Sequence, residues 1–187
     1  LAAARGIGAA SLAVVIGPEM AAVRSEAEAL APGAEVFIQE QQLGTAHAVL
    51  AAREAIARHS GDVLVLFADT PLIAPATLQD LLRGLDAETP VAVLGFHAAD
   101  PTGYGRILRD AAGSVTAIRE HEDGTEAERA VTFCCSGVMA FRGEAMLDLL
   151  DSVGTNNAQV EYYLTDVIAI ARSKGLQVAA QSCAEEE

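Results

Sequence analysis

Short apolar runs alternate with helix-period stretches along the chain, with no linker or internal repeat between them. Leu12 to Ile16 predicts a strand, Glu19 to Leu30 a helix, Glu35 to Ile38 a second strand, and Thr45 to Arg58 an alanine-rich helix. Asp62 to Phe67 is apolar without alternation, which predicts a strand covered on both faces, as in a parallel sheet between helices. A helix is expected to begin near Pro75, a residue suited to a first helical turn. Val91 to His97 and Ser114 to Arg119 are predicted strands, with the glycine-bearing segment Asp100 to Arg106 as a loop between them. Val131 to Phe141 is a further strand. Gly143 to Leu150 and Glu161 to Arg172 are predicted helices, the latter stopped by Lys174 and Gly175, and Leu176 to Gln181 is a closing strand. The pattern implies one α/β domain with a mostly parallel sheet flanked by helices, whose ligands bind at the carboxyl ends of strands.

Composition narrows the field. The chain has 187 residues, 51% of them hydrophobic and 20% charged, which is the balance of a packed domain rather than a disordered segment. A net charge of −14 leaves no basic stripe for a nucleic-acid backbone, so nucleic acid is not an expected partner. No apolar stretch approaches the roughly 18 residues needed to span a bilayer. The small, apolar opening LAAARGIGAASLAVVIG has no basic leader and is not read as a signal peptide. Cys134 and Cys135 are adjacent and would bridge each other only with strain, while Cys183 stands alone, so a reducing cytoplasm is expected.

The candidate chemistry begins with two segments. Gln39 to Ala48, QEQQLGTAHA, places an amide, a glycine and a hydroxyl just ahead of a helical pattern. Gln39 offers a donor and an acceptor that suit the imide edge of uracil or thymine; Gly44 allows close backbone approach; Thr45 adds a hydroxyl at a helix start, where free N–H groups favour anions. Read alone, the segment is equally a strand, a turn and a helix cap. In the second segment an apolar run ends on one carboxylate, Asp69, ahead of Thr70 and Pro71, where a stiff turn would hold a ligand for a hard cation such as Mg²⁺. Alone, Asp69 is equally a turn cap.

DPTGYGRI, from Asp100 to Ile107, supplies two glycines and Arg106. Glu120 enters the acidic loop IREHEDGTEAE, where a carboxylate can accept from sugar hydroxyls. Glu120, His121, Glu122 and Asp123 do not form a zinc set, since the histidine is alone among carboxylates. His47, on a helix, reads as structural. No Gly-x-Ser-x-Gly elbow, Cys-x-x-Cys pair, Walker loop or GxGxxG fingerprint is present.

In their order and spacing, QEQQLGTAHA, LFADTPLI, DPTGYGRI, IREHEDGTEAE and NNAQVEYYLTD resemble the bacterial N-acetylglucosamine-1-phosphate uridyltransferase family over nearly the whole chain. The resemblance implies a Rossmann-like nucleotidyltransferase fold and transfer of a uridylyl group. UTP and N-acetylglucosamine 1-phosphate would give UDP-N-acetylglucosamine and pyrophosphate, with Mg²⁺, as a cytoplasmic step toward cell-wall and lipopolysaccharide precursors. By the family pattern Gln39, Gly44 and Thr45 contact the uridine part, Phe67 and Ala68 line the nucleotide pocket, and Asp69 holds the metal. Gly105 and Glu120 match sugar contacts, and Thr165 lies near the sugar phosphate.

The departures set further expectations. No residue matches the family's glycine-rich phosphate loop or its lysine, and the segment carrying a second metal ligand, an asparagine, is not in this sequence. Nor is the β-helix acetyltransferase domain that builds the family's homotrimer. Cys135 stands where a sugar-binding asparagine is common, and Val160 where a glycine is usual. The chain alone is therefore expected to be weakly active or inactive. Two alternatives remain open: another sugar-phosphate nucleotidyltransferase of the same fold, or a non-catalytic nucleotide-binding domain.

Overall fold

One ten-residue strand, Phe133–Arg142, shares one of its edges between two partner strands, and most of the architecture follows from it. In the computed structural model, which describes residues 1–70 and 72–186, the elements run α1 (Ala2–Gly6), β1 (Ala13–Ile16), α2 (Ala21–Leu30), β2 (Glu35–Ile38), α3 (Thr45–Ala51), α4 (Arg53–Arg58), β3 (Asp62–Val65) and α5 (Pro75–Arg83). They continue with β4 (Val91–His97), β5 (Arg106–Arg109), β6 (Val115–Arg119), α6 (Glu126–Arg129), β7 (Phe133–Arg142), α7 (Gly143–Leu150), α8 (Asp166–Ser173) and β8 (Val178–Cys183). β7, ten residues long, pairs with β4 along one edge. Its other edge takes β3 against Met139 to Arg142 and β5 at Cys134. Between those two attachments β7 residues 136–138 have no paired strand on that side among the described residues.

The sheet is mixed, which corrects the expectation of a mostly parallel one. Hydrogen-bonded pairs are parallel in β1–β2 and β4–β8 and antiparallel in β3–β7, β4–β7, β5–β7 and β5–β6. β3, β4, β5 and β8 do share one direction; the hairpin β5–β6 returns the chain so that β7 enters antiparallel between β3 and β4. β1 and β2 form a separate two-stranded parallel sheet.

Both faces of the larger sheet are covered, as the unalternating run after Asp62 predicts. Val63, Val65 and Phe67 pack into a cluster with Val93, Phe141, Met146, Leu164 and Ile168, while Leu64 and Leu66 pack on the other face with Leu78, Leu81 and Leu94. Such aliphatic side chains each contribute about 2 kcal/mol on full burial. Pro75 opens α5 at its first turn, which directs Leu78 and Leu81 inward.

Several local differences from the expected elements have physical causes. The predicted helix over 45–58 breaks at Ala52, whose N–H bonds back to Val49 three residues away before α4 restarts. The predicted helix from Glu161 begins only at Asp166, because the preceding backbone bonds elsewhere. The acidic loop contains α6, whose Thr125 and Glu128 form a reciprocal capping box.

Arg106 is not a loop cation but a buried residue at the start of β5, 2% exposed. Its guanidinium donates to the carbonyls of Tyr104, Val131 and Arg129 and touches His121 Nδ1. It therefore ties the hairpin to the segment entering β7 and is spent on the fold. Pro71, expected to stiffen the turn after Asp69, lies outside the described residues.

Candidate functional site

The candidate residues come from three regions that the fold ties together. Gln39 follows β2, where its N–H bonds to Ile16 O and fixes the base of its side chain. Its Nε2 donates to Gly44 O and lies within hydrogen-bond distance of His47 Nδ1, each at 3.1 Å. Gly44 has φ 113°, and a Cβ there would meet Tyr162 O at 2.6 Å and Tyr162 N at 2.7 Å. The close approach that a glycine allows here is thus made by the chain's own backbone.

That contact is part of a clasp. Tyr162 N–H donates to Leu43 O at 2.8 Å, Ala46 N–H to Tyr162 O at 2.8 Å, and Leu164 N–H to Thr45 Oγ1 at 2.8 Å. The Thr45 hydroxyl oxygen, read from sequence as a ligand contact, is an acceptor for Leu164; its proton stays available. The Glu161 and Tyr162 carbonyls accept from Asn157 Nδ2 and Ala46 N–H, and the next N–H groups bond three residues back, Asp166 to Tyr163 and Val167 to Leu164, so the helical ladder begins only at α8.

From the clasp the contacts continue through the sugar candidates. Thr165 Oγ1 donates to Glu120 Oε1 at 2.7 Å. Gly105 is buried, and a Cβ on it would stand 3.1 Å from Glu120 Oε2. Gly105 O accepts from Cys135 N–H at 2.8 Å. Two residues on, a Cβ at Gly137 (φ 83°) would meet the Phe67 ring at 2.8 Å, and Phe67 leads to Ala68 and Asp69. The pairing of β7 with β4 shifts here, with Val93 opposite Met139 but Gly95 opposite Cys135, a bulge that lies where β3 and β5 part. Gln39, Gly44, Thr45, Thr165, Glu120, Gly105, Cys135 and Phe67 thus belong to one connected set, whereas Ala68 is exposed with no such contact.

Asp69 is exposed at the carboxyl end of β3, and its carboxylate accepts no hydrogen bond among the described residues. It lines a cavity of about 250 Å³ together with Thr70, Phe96, Tyr104, Ser136 and Glu185. Tyr104, next to Gly105, packs edge-on against Phe96 at 5.0 Å and so joins the sugar side to the Asp69 side. Glu185 is committed to the N–H of Ala99.

Burial raises the Glu120 carboxyl above its ordinary range; the Thr165 hydroxyl opposes this and the nearby acids Asp166, Glu122 and Asp123 add to it. Cys135 is 7% exposed, and burial pushes its thiol up to about 12, so it stays a thiol whose Sγ accepts the Gly137 N–H. It lies beside Gly105 but presents no amide. Tyr163 Oη and Asp123 Oδ2 are buried without partners among the described residues, two polar groups left for water or ligand. Two residues were missed from sequence: His47, which bonds Gln39, and Tyr162, whose ring lies 6.2 Å from that of His47. The i, i+8 placement of Gln39 and His47 across a turn was the only available signal.

Carboxylates, a glycine-turned segment and a hydroxyl thus gather near strand ends of an α/β sheet, where such folds bind their ligands, and the class they belong to is that of the nucleotidyltransferases. The family described as MobA-like NTP transferase domain matches residues 1–132, and the chain belongs to it. More particularly, the chain is 54% identical over 186 residues to the bifunctional protein GlmU of Bradyrhizobium sp. (strain ORS 278), a match covering 100% of this chain and 41% of that protein. GlmU of Azorhizobium caulinodans is 51% identical over 183 residues, covering 98% and 41%, and GlmU of Xanthobacter autotrophicus 51% over 187 residues, covering 100% and 42%. The chain therefore spans about two fifths of the length of the curated relatives it matches. The likeness read from five motifs extends across the chain.

Val160, where the resemblance places a glycine, has φ 57° and is 70% exposed. A β-branched residue in left-handed backbone is strained, by about 1–2 kcal/mol. Val160→Gly should relieve this while adding unfolded-state entropy, for a net gain of roughly 0.5–1 kcal/mol in urea unfolding. A loss of stability would show that the Val160 side chain contributes packing.

Glu120 gives a pH signature. Because the fold raises its pKa, the folded chain binds this proton more tightly than the unfolded one. The group therefore costs stability at neutral pH, and the cost fades as pH falls from the raised value into the ordinary carboxylate range. Glu120→Gln should melt higher than the wild-type chain at pH 7, with the difference shrinking by pH 4. A difference that does not vary with pH would remove burial of this carboxyl as its cause.

Proposed function

We propose that the chain carries the site for the uridylyl-transfer half of the work of such proteins, weakly active or inactive by itself: UTP and N-acetylglucosamine 1-phosphate give UDP-N-acetylglucosamine and pyrophosphate, in the cytoplasm, toward envelope precursors. The observation that supports this best is the clasp, which ties a base-reading segment to a sugar-reading one. A transferase must hold two substrates in one fixed relation, and that positioning supplies much of the catalysis in phosphoryl chemistry.

In this reading Gln39 and the Gly44 N–H address the base, and Thr45 donates its free hydroxyl proton toward the nucleoside. Glu120 accepts from a sugar hydroxyl, with Gly105 making room for its carboxylate, and Thr165 holds that carboxylate in place. Cys135 gives this site a thiol in place of an amide, so sugar recognition leans on Glu120. Three thiols free of disulfides suit a reducing compartment.

Asp69 is the residue that would hold Mg²⁺. The fit is chemical: a hard oxygen donor beyond a strand end, without a hydrogen-bond partner among the described residues. Among the described residues no three His, Cys, Asp or Glu side chains converge as a metal site, so phosphate and water would supply most of the ligands, as this cation prefers. When bound, Mg²⁺ neutralises phosphate charge. The one lysine, Lys174, is paired with Asp148 at 2.6 Å and is not offered to a phosphate.

The discriminating assay is product formation across a panel of nucleoside triphosphates and sugar 1-phosphates, in this chain and in a GlmU relative that contains it. UTP with N-acetylglucosamine 1-phosphate should be preferred in both. A preference for a purine nucleotide or another sugar phosphate would overturn the reading. In a longer protein that contains this domain, Asp69→Asn should lower turnover by roughly 10²-fold or more, the scale of losing one charge-stabilising group. Since its carboxylate is exposed and accepts no hydrogen bond among the described residues, the melting temperature should hold. Unchanged turnover would remove Asp69 from the metal site.

A further inference from the structure

We infer that His47 is a positioning residue that fixes which face of the Gln39 amide the base meets; the inference rests on the uridine reading above. An amide's oxygen and nitrogen ends are settled by their partners rather than by shape. Here Gly44 O decides the matter, since a carbonyl can only accept, so the end of Gln39 at 3.1 Å from it is the NH₂. The same nitrogen lies 3.1 Å from His47 Nδ1, which must then also accept. His47 Nδ1 is therefore unprotonated, and its proton sits on Nε2.

Both amide protons of Gln39 are thereby used inside the protein. Its Oε1 accepts from nothing among the described residues and is the only part of the amide left for a ligand. This sharpens the sequence expectation that Gln39 offers both a donor and an acceptor. An acceptor alone pairs with the N3–H of uracil or thymine and opposes the lone pair at N3 of cytosine. The Tyr162 ring, 6.2 Å from the imidazole and inclined at 32°, borders His47, and the clasp holds Tyr162 in place through Leu43 and Ala46. Without His47, Gln39 keeps one anchor, Gly44 O, and its amide is free to swing about it.

Long-range ¹H–¹⁵N spectra of the wild-type chain should show His47 as the Nε2–H tautomer; a protonated Nδ1 would overturn the inference. Calorimetric titration with uridine and cytidine 5′-monophosphates provides the functional test. His47→Leu should weaken uridine monophosphate about tenfold, the scale of one oriented hydrogen bond, and change cytidine monophosphate less than about twofold. His47→Asn, which keeps an acceptor near the Nδ1 position, should restore the uridine preference, an effect that a purely structural histidine would not show. If His47→Leu keeps the wild-type preference, Gln39 is oriented without His47 and the inference fails. Equal binding of both nucleotides by the wild-type chain would instead remove the uridine reading and the role of His47 with it, and is told apart because no preference exists to be lost.

Discussion

The arrangement of the site depends on one interaction, the clasp between residues 43–46 and 162–164. Three hydrogen bonds of 2.8 Å and a glycine with no room for a Cβ bring together segments more than a hundred positions apart in sequence. A buried N–H without a partner costs about 1–3 kcal/mol, so each bond is enforced by the loss that would follow its absence. The clasp decides where α8 begins, how Thr45 spends its oxygen, and why Thr165 stands beside Glu120. In the proposed reading function inherits the constraint, since one side of the clasp leads to Gln39 and the other to the Glu120 carboxylate.

The second determinant is the parting of β3 and β5 along β7. A sheet with all edges paired offers no room for a ligand between strands. Here residues 136–138 of β7 lose a paired strand on one side next to a bulge, and Phe67, Gly105 and Cys135 gather at that opening. Asp69 and Tyr104 extend it to the cavity at the strand ends. Arg106 closes the floor with bonds to three carbonyls, so the hairpin edge stays fixed next to the opening.

Much of this was legible in the sequence where the cause is local. Val91–His97, Glu35–Ile38 and Gly143–Leu150 form as their apolar patterns predict, and Pro75 marks its helix start. The capping box of α6 was equally legible in Thr125 and Glu128 but was hidden by the acidity around it. What sequence could not supply were outcomes of long-range pairing. The antiparallel entry of β7, the burial of Arg106 and the late start of α8 each follow from partners far along the chain. The site shows the same division: residue identities came from motif order, whereas the engagement of the Thr45 oxygen by Leu164 and the bond of His47 to Gln39 required the fold.

The central claim is that the clasp couples nucleotide binding to sugar binding, and Thr45→Val tests it most directly, since it removes the acceptor for Leu164 while lying in the nucleotide segment. The measurement is the affinity of this variant for N-acetylglucosamine 1-phosphate alone, with no nucleotide present. The account predicts a loss of about fivefold or more, as Leu164 and Thr165 shift and Glu120 loses its donor, in line with the ~1–3 kcal/mol cost of an unpaired buried N–H. Sugar-phosphate affinity equal to that of the wild-type chain would contradict it.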